Sequence, residues 1–114
     1  MQIIRGQVAS KPYALTDAAT IATDASQSNI FSVTLGGNRT LGNPTNLVDG
    51  MFLNWLVNNG TTPFTLAYDT MFKWGKGGTG SAPILSTTAS KVHLISGVYD
   101  ATSGFIYAAL LDTA

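Results

Sequence analysis

Along Asn29 to Tyr68 the spacing of apolar and polar positions changes character repeatedly, and each change marks the boundary of an element. In Phe31-Ser32-Val33-Thr34-Leu35 apolar side chains alternate with hydroxyls, the period of two that sets one row on a buried face and the other in water. After Leu35 the alternation stops. Gly36-Gly37, Asn38, Gly42, Asn43-Pro44, Asn46 and Asp49-Gly50 supply positive φ, fixed φ or side-chain hydrogen bonds to the backbone. This stretch reads as one long connection, with the next strand starting no earlier than about Met51. Met51 to Val57 is that strand, with Met51, Leu53, Trp55 and Val57 on one face and Phe52, Asn54 and Leu56 on the other. Both of its faces want cover. Asn58-Asn59-Gly60-Thr61 then reads as a hairpin turn returning through Phe64 to Tyr68, since Asn-Gly suits two successive residues at positive φ.

The same reasoning extends to the ends. Tyr13 to Ser28 is small and hydroxyl-rich, and its β-branched residues predict two short extended segments, Tyr13 to Leu15 and Thr20 to Thr23, with Asp17 and Asp24 starting turns. Residues 1–12 form an N-terminal arm or edge strand carrying Ile3, Ile4 and Val8, ahead of a domain spanning 13–114. Asp69 to Ser81 combines Met71, Phe72 and Trp74 with a glycine-rich run, predicting a surface loop whose aromatics are covered either by the domain's own edge or by another chain. Lys91 to Tyr99 and Phe105 to Leu111 make a closing hairpin around Asp100 to Gly104, and the last strand, FIYAALL, is apolar on both faces. Seven or eight short strands at this spacing predict an all-β fold, a β-sandwich of jelly-roll-like form.

Composition sharpens the picture. Of the 114 residues 45% are hydrophobic and only 11% charged, whereas about a quarter of an ordinary globular surface-bearing chain is charged. Six basic and six acidic residues cancel and lie scattered, which leaves no footprint for nucleic acid or an anionic membrane and little repulsion between copies. No apolar run approaches the ~20 residues of a membrane span, and the N-terminus lacks the basic-then-apolar order of a secretion signal. With no cysteine there are no disulfides and no thiolate chemistry. The acids are all Asp, which favours turns over helices.

Catalytic chemistry finds little purchase. His93 is the single histidine and has no signalled nucleophile or orienting partner. Asp17, Asp24, Asp49, Asp69 and Asp100 are spaced without any pattern that pairs two carboxylates. Gly75-Lys76-Gly77-Gly78-Thr79-Gly80 has glycines, a lysine and a threonine, but its order is not that of a phosphate-binding loop and no helix follows. No cofactor and no metal is expected. Trp74, Tyr68, Tyr13, Tyr99 and Tyr107 are candidates for a sugar-binding platform, with core packing as the commoner use of such rings.

The ordered series Leu15-Thr16-Asp17, Asp24, Phe31 to Leu35, Asn38-Arg39-Thr40-Leu41, Asn43-Pro44-Thr45-Asn46-Leu47 and Asp49-Gly50 resembles a β-domain module of tailed-bacteriophage virion proteins. Phe72-Lys73-Trp74, Gly78, Ala82-Pro83, Leu85-Ser86 and Val98-Tyr99-Asp100 continue the likeness, so that it covers about Leu15 to Leu111. MFLNWLV and FIYAALL are greasier than that module's pattern, which points to added burial against partners. The resemblance implies a non-enzymatic capsid decoration, or cement, protein on the outer surface of the virion head, made in the host cytoplasm. Its expected partners are itself, as a dimer or trimer, and the major capsid protein. The residues expected to touch them are Ile3, Ile4, Val8, Met71, Phe72 and Trp74. Related modules in tail fibres imply the alternative, a receptor-binding knob contacting host-surface glycans.

Overall fold

A computed structural model describes residues 11–75 and 80–112, so the arm residues Ile3, Ile4 and Val8 lie outside it. The described chain is all-β, with nine strands: β1 (Tyr13–Ala14), β2 (Thr20–Ile21), β3 (Ile30–Thr34), β4 (Arg39–Leu41), β5 (Phe52–Asn58), β6 (Leu66–Tyr68), β7 (Phe72–Trp74), β8 (Val92–Asp100) and β9 (Phe105–Asp112). A large sheet runs in the order β1-β3-β5-β8-β9-β7, and a small one in the order β2-β4-β6. Odd and even strands alternate between the sheets as far as β7. The chain therefore winds, and each turn of the coil lays one strand on the large sheet and one on the small.

Stacking is parallel from turn to turn: β1 on β3 on β5 in the large sheet, and β2 on β4 on β6 in the small. The hairpin of β8 and β9 is inserted between β5 and β7, antiparallel to β5 through β8, and β7 then pairs with β9 in parallel. The expected jelly-roll connectivity is thus replaced, because jelly rolls join antiparallel strands through Greek keys and most pairings here are parallel.

Two further expectations are corrected. The supposed connection from Gly36 to Gly50 contains β4, whose three residues find hydrogen-bonding partners in the preceding and following turns of the coil. The Asn-Gly turn is real at Gly60, which has φ +88°, but Asn59 is not in the left-handed region that a two-residue hairpin needs. Asn59 is instead fully buried. Its Nδ2 donates to the carbonyls of Ser86 and Thr88 at 2.9 and 2.7 Å, and its Oδ1 accepts from the Lys91 N–H at 2.9 Å. With the end of β5 tied to residues 86–91, the chain crosses to the small sheet, and β6 pairs with β4 rather than returning along β5.

The core fills the space between the sheets. Ile21, Leu41 and Leu66 of the small sheet belong to one buried cluster with Phe31, Val33, Leu53, Trp55, Val57, Ile95 and Ile106 of the large one. Alternation in β3 and β5 places these residues inward as the sequence predicts. A run of aromatic contacts threads the cluster, from Tyr13 to Phe31 (6.5 Å between ring centroids), Phe31 to Trp55 (6.0 Å), Trp55 to Phe72 (5.5 Å), Phe72 to Trp74 (6.0 Å) and Trp74 to Tyr68 (4.5 Å). Such pairs contribute roughly 0.5–1.5 kcal/mol each beyond area burial. The Trp55 indole N–H donates to Thr23 Oγ1 at 3.1 Å, so its polar edge is satisfied in the interior.

At the corners, polar side chains hold one turn of the coil to the next. Asp17 accepts from the Gly36 N–H at 3.1 Å and takes Arg39 in a two-point ion pair at 2.9 and 3.0 Å. Asn46 Nδ2 donates to Asp24 Oδ1 at 2.8 Å, and Asn38 Oδ1 accepts from the Thr65 N–H at 3.0 Å. Asn43 does both, donating to Thr70 Oγ1 at 3.1 Å and accepting from the Met71 N–H at 2.8 Å. Asp17, Asp24, Asn38, Asn43 and Asn46, which mark turns in the sequence, are thus cross-ties between turns of the coil.

Candidate functional site

The inner face of the large sheet is covered by the small sheet, whereas the described residues put nothing over its outer face. Strand pairing arranges that face in rows running across the strands. One row holds Phe52, Val98 and Tyr107, with Lys73 at its end; the next holds Ile30, Asn54, Ser96 and Ala109; the third holds Ser32, Leu56, Leu94 and Leu111. Beyond them Asn58 pairs with Val92. Phe52 is 65% exposed and Leu111 55%, while Ile30, Leu56, Leu94 and Val98 are partly exposed beside them. Large apolar side chains standing together in water mark an interaction surface, in a way that single exposed ones do not.

Four polar side chains on and beside this face, Asn54, Ser96, Tyr107 and Lys73, are engaged within the chain. Ser96 Oγ donates to Asn54 Oδ1 at 2.8 Å, and Asn54 Nδ2 donates to the Asn29 carbonyl at 3.3 Å. Tyr107 donates its hydroxyl proton to Ser103 Oγ at 3.1 Å, and the Lys73 ammonium lies 4.4 Å from the centre of the Phe105 ring. An apolar partner can cover Asn54 and Ser96 without stranding their hydrogen bonds, which removes the main cost of burying polar groups. At the β1 side the face dips into an open groove of about 410 Å³, bordered by Ala14, Leu15, Ser32, Leu56 and Val92.

Of the sequence-predicted contact residues, the described ones, Met71, Phe72 and Trp74, lie elsewhere. Phe72 and Trp74 are 5% and 6% exposed and form β7 inside the aromatic run, so they are core residues and not a docking loop. The same burial removes Trp74 as a sugar platform, and Tyr68 packs against it with its phenol pKa pushed up by burial. Met71 is partly buried, and its backbone N–H donates to Asn43 Oδ1 in the cross-tie. His93 is buried, its Nε2 accepting the Ser86 N–H at 3.2 Å. The candidate carboxylates serve loops: Asp49 accepts from the Ala101 N–H and Asp100 from the Thr102 N–H, while Asp69 accepts from the Thr70 N–H. Among the described residues no three His, Cys, Asp or Glu side chains group as metal ligands, and no helix is long and apolar enough to cross a membrane.

Compared with family models, curated proteins and solved structures, the chain finds no match. The outer face is accordingly read from its own chemistry. Its residues had a visible signal: Phe52, Leu56 and Leu111 stand in the two strands that are apolar on both faces, and a strand with a buried face has no internal use for apolar residues on the other.

Proposed function

We propose that this chain is a non-enzymatic virion structural protein, a decoration protein that associates with itself and bridges major capsid protein subunits on the outer surface of a phage head. The observation that carries this reading is the apolar outer face of the large sheet, which the described residues leave uncovered. The motif series from Leu15 to Leu111 supplies the setting. As a layer architecture, the two sheets are read as a sandwich wound as a parallel coil. Its cross-tied corners make a stiff block that transmits load between the surfaces it bridges.

The mechanism is linkage. A protein that binds the assembled shell and not its separated subunits stabilises the shell by RT ln(1 + [L]/Kd), about 2.7 kcal/mol per site at a hundredfold excess over Kd. No bond is made or broken. Purified protein mixed with undecorated capsids is expected to co-sediment with them and to raise their disruption temperature; failure to co-sediment at saturating concentration sinks the reading. One feature favours a second reading, a tail-fibre or receptor-binding knob: the first turn of the coil ends in β1 and β2, edge strands of their sheets, and a further turn of a shaft can be laid on them. A knob binds host-surface glycans and leaves capsids unbound.

A further inference from the structure

We propose that the outer face of the large sheet is the contact of a two-fold symmetric dimer, in which a second copy of this chain packs sheet to sheet against the first. The proposal rests on reading that face as an assembly surface and names its occupant. The row order supplies the argument for a second copy. A middle row whose polar pair, Asn54 and Ser96, is bonded internally is flanked on one side by Phe52, Val98 and Tyr107 and on the other by Leu56, Leu94 and Leu111. Across the central strands β5 and β8 the pattern apolar, polar, apolar is symmetric about its centre, with Ser32 and Lys73 at the outer ends of the flanking rows. An isologous contact requires such a self-complementary patch.

A two-fold axis lying along the middle row sets the aromatic row of each copy against the leucine row of the other. The middle row then faces itself, and its small residues, Ser96 and Ala109, leave room for the larger side chains on either side. Sheets packed this way stay within about 30° of alignment, roughly 10 Å apart. Charge does not oppose the contact: among the described residues the three rows carry one charged side chain, Lys73, at the β7 edge and engaged with Phe105.

The area suffices. Strands ~4.8 Å apart and ~3.3 Å per residue give the face spanned by β3, β5, β8, β9 and β7 a footprint on the order of 500–600 Å². Two copies therefore bury about 1,000–1,200 Å², at the weak, transient end of specific interfaces. This predicts a dimer that dissociates measurably on dilution.

Sedimentation velocity of the full chain tests this. The wild type is expected to pass from 11.9 kDa monomer to dimer as concentration rises through the micromolar range. Phe52→Lys with Leu111→Lys is expected to raise the dissociation constant at least tenfold with the far-ultraviolet spectrum unchanged, since both side chains stand in solvent. The chain has no cysteine, so Ala109→Cys provides a single thiol on the axis. A short bis-maleimide is expected to link it to its own copy, and to leave a Thr87→Cys control unlinked. A wild type that is monomeric at 100 µM, a trimer, a double variant that dimerises as well as the wild type, or dimerisation abolished only by deleting residues 1–10 overturns the proposal. The capsid assay is scored separately: a dimer that ignores capsids keeps this interface and removes the decoration reading. A monomer that binds capsids does the reverse.

Discussion

Asp24 stands where the first turn of the coil passes to the second, and a single carboxylate oxygen there accepts from Asn46 Nδ2, Ser26 Oγ and the Ser26 N–H at 2.8, 2.7 and 3.0 Å. These donors, Asn46 foremost, hold its pKa down at about 2 from the ordinary 3.8. A carboxylate with a depressed folded pKa stabilises the fold above its unfolded pKa, and that stabilisation is lost as pH falls towards the folded value. Urea titrations should therefore show the wild type ahead of Asp24→Ala at pH 6, with the gap closing between about pH 4 and pH 2. A gap independent of pH removes the ionised cross-tie from the account. The sequence identifies Asp17 and Asp24 as turn starters; Asp24 opens a turn, its carbonyl accepting from the Gln27 N–H, and Asp17 precedes a bend. Their partners Gly36, Arg39 and Asn46 lie a whole turn of the coil away, where no local spacing rule reaches them.

At the scale of elements, the packing of the inserted hairpin turns on Gly97, whose φ is not the reason for its identity. A Cβ there meets Ile106 Cγ2 at 2.9 Å, Ala108 Cβ at 3.0 Å and the Tyr107 carbonyl oxygen at 3.0 Å, and the last is backbone that cannot swing aside. Gly97→Val is expected to cost about 2–3 kcal/mol, as overpacking of a close-packed interior does, read from the urea midpoint. Gly97→Ala combined with Ala108→Gly, which removes one of the three contacts, should lose less than Gly97→Ala alone. Strands with a long alternating or doubly apolar pattern, β3, β5, β8 and β9, are legible from sequence because their own residues state the period. The Arg39–Leu41 strand is too short to show one and sits among turn formers. Phe72-Lys73-Trp74 is misread for a related reason. Flanking glycines mark a loop, but the parallel ladder to Ile106, Tyr107 and Ala108 makes those residues a strand and turns both rings inward. The doubly apolar strands also contain the outer-face residues; what sequence lacks is the register that sets Phe52 beside Val98 and Tyr107 as one surface.

For the whole molecule, winding means that nearly every sheet contact joins residues far apart along the chain, with β8 and β9 as the local exception. Chains of this kind must close long loops before contacts reward them, so refolding is expected over ~milliseconds to seconds. Stopped-flow fluorescence of Trp55 and Trp74, both interior, checks this, and complete recovery within the instrument's dead time contradicts it. The large sheet ends at β1 and β7, of two and three residues, and the Gly80 N–H already donates to the Trp74 carbonyl at 2.6 Å. Among the described residues, so little free backbone at these margins offers a separate chain a poor template for strand pairing, as distinct from a preceding turn of the same coil. In the proposed dimer the broad greasy sides meet by stacking, and stacking by pairs consumes the side that drives it. Growth then stops at a finite particle, where an open ladder of backbone bonds runs on into a fibre.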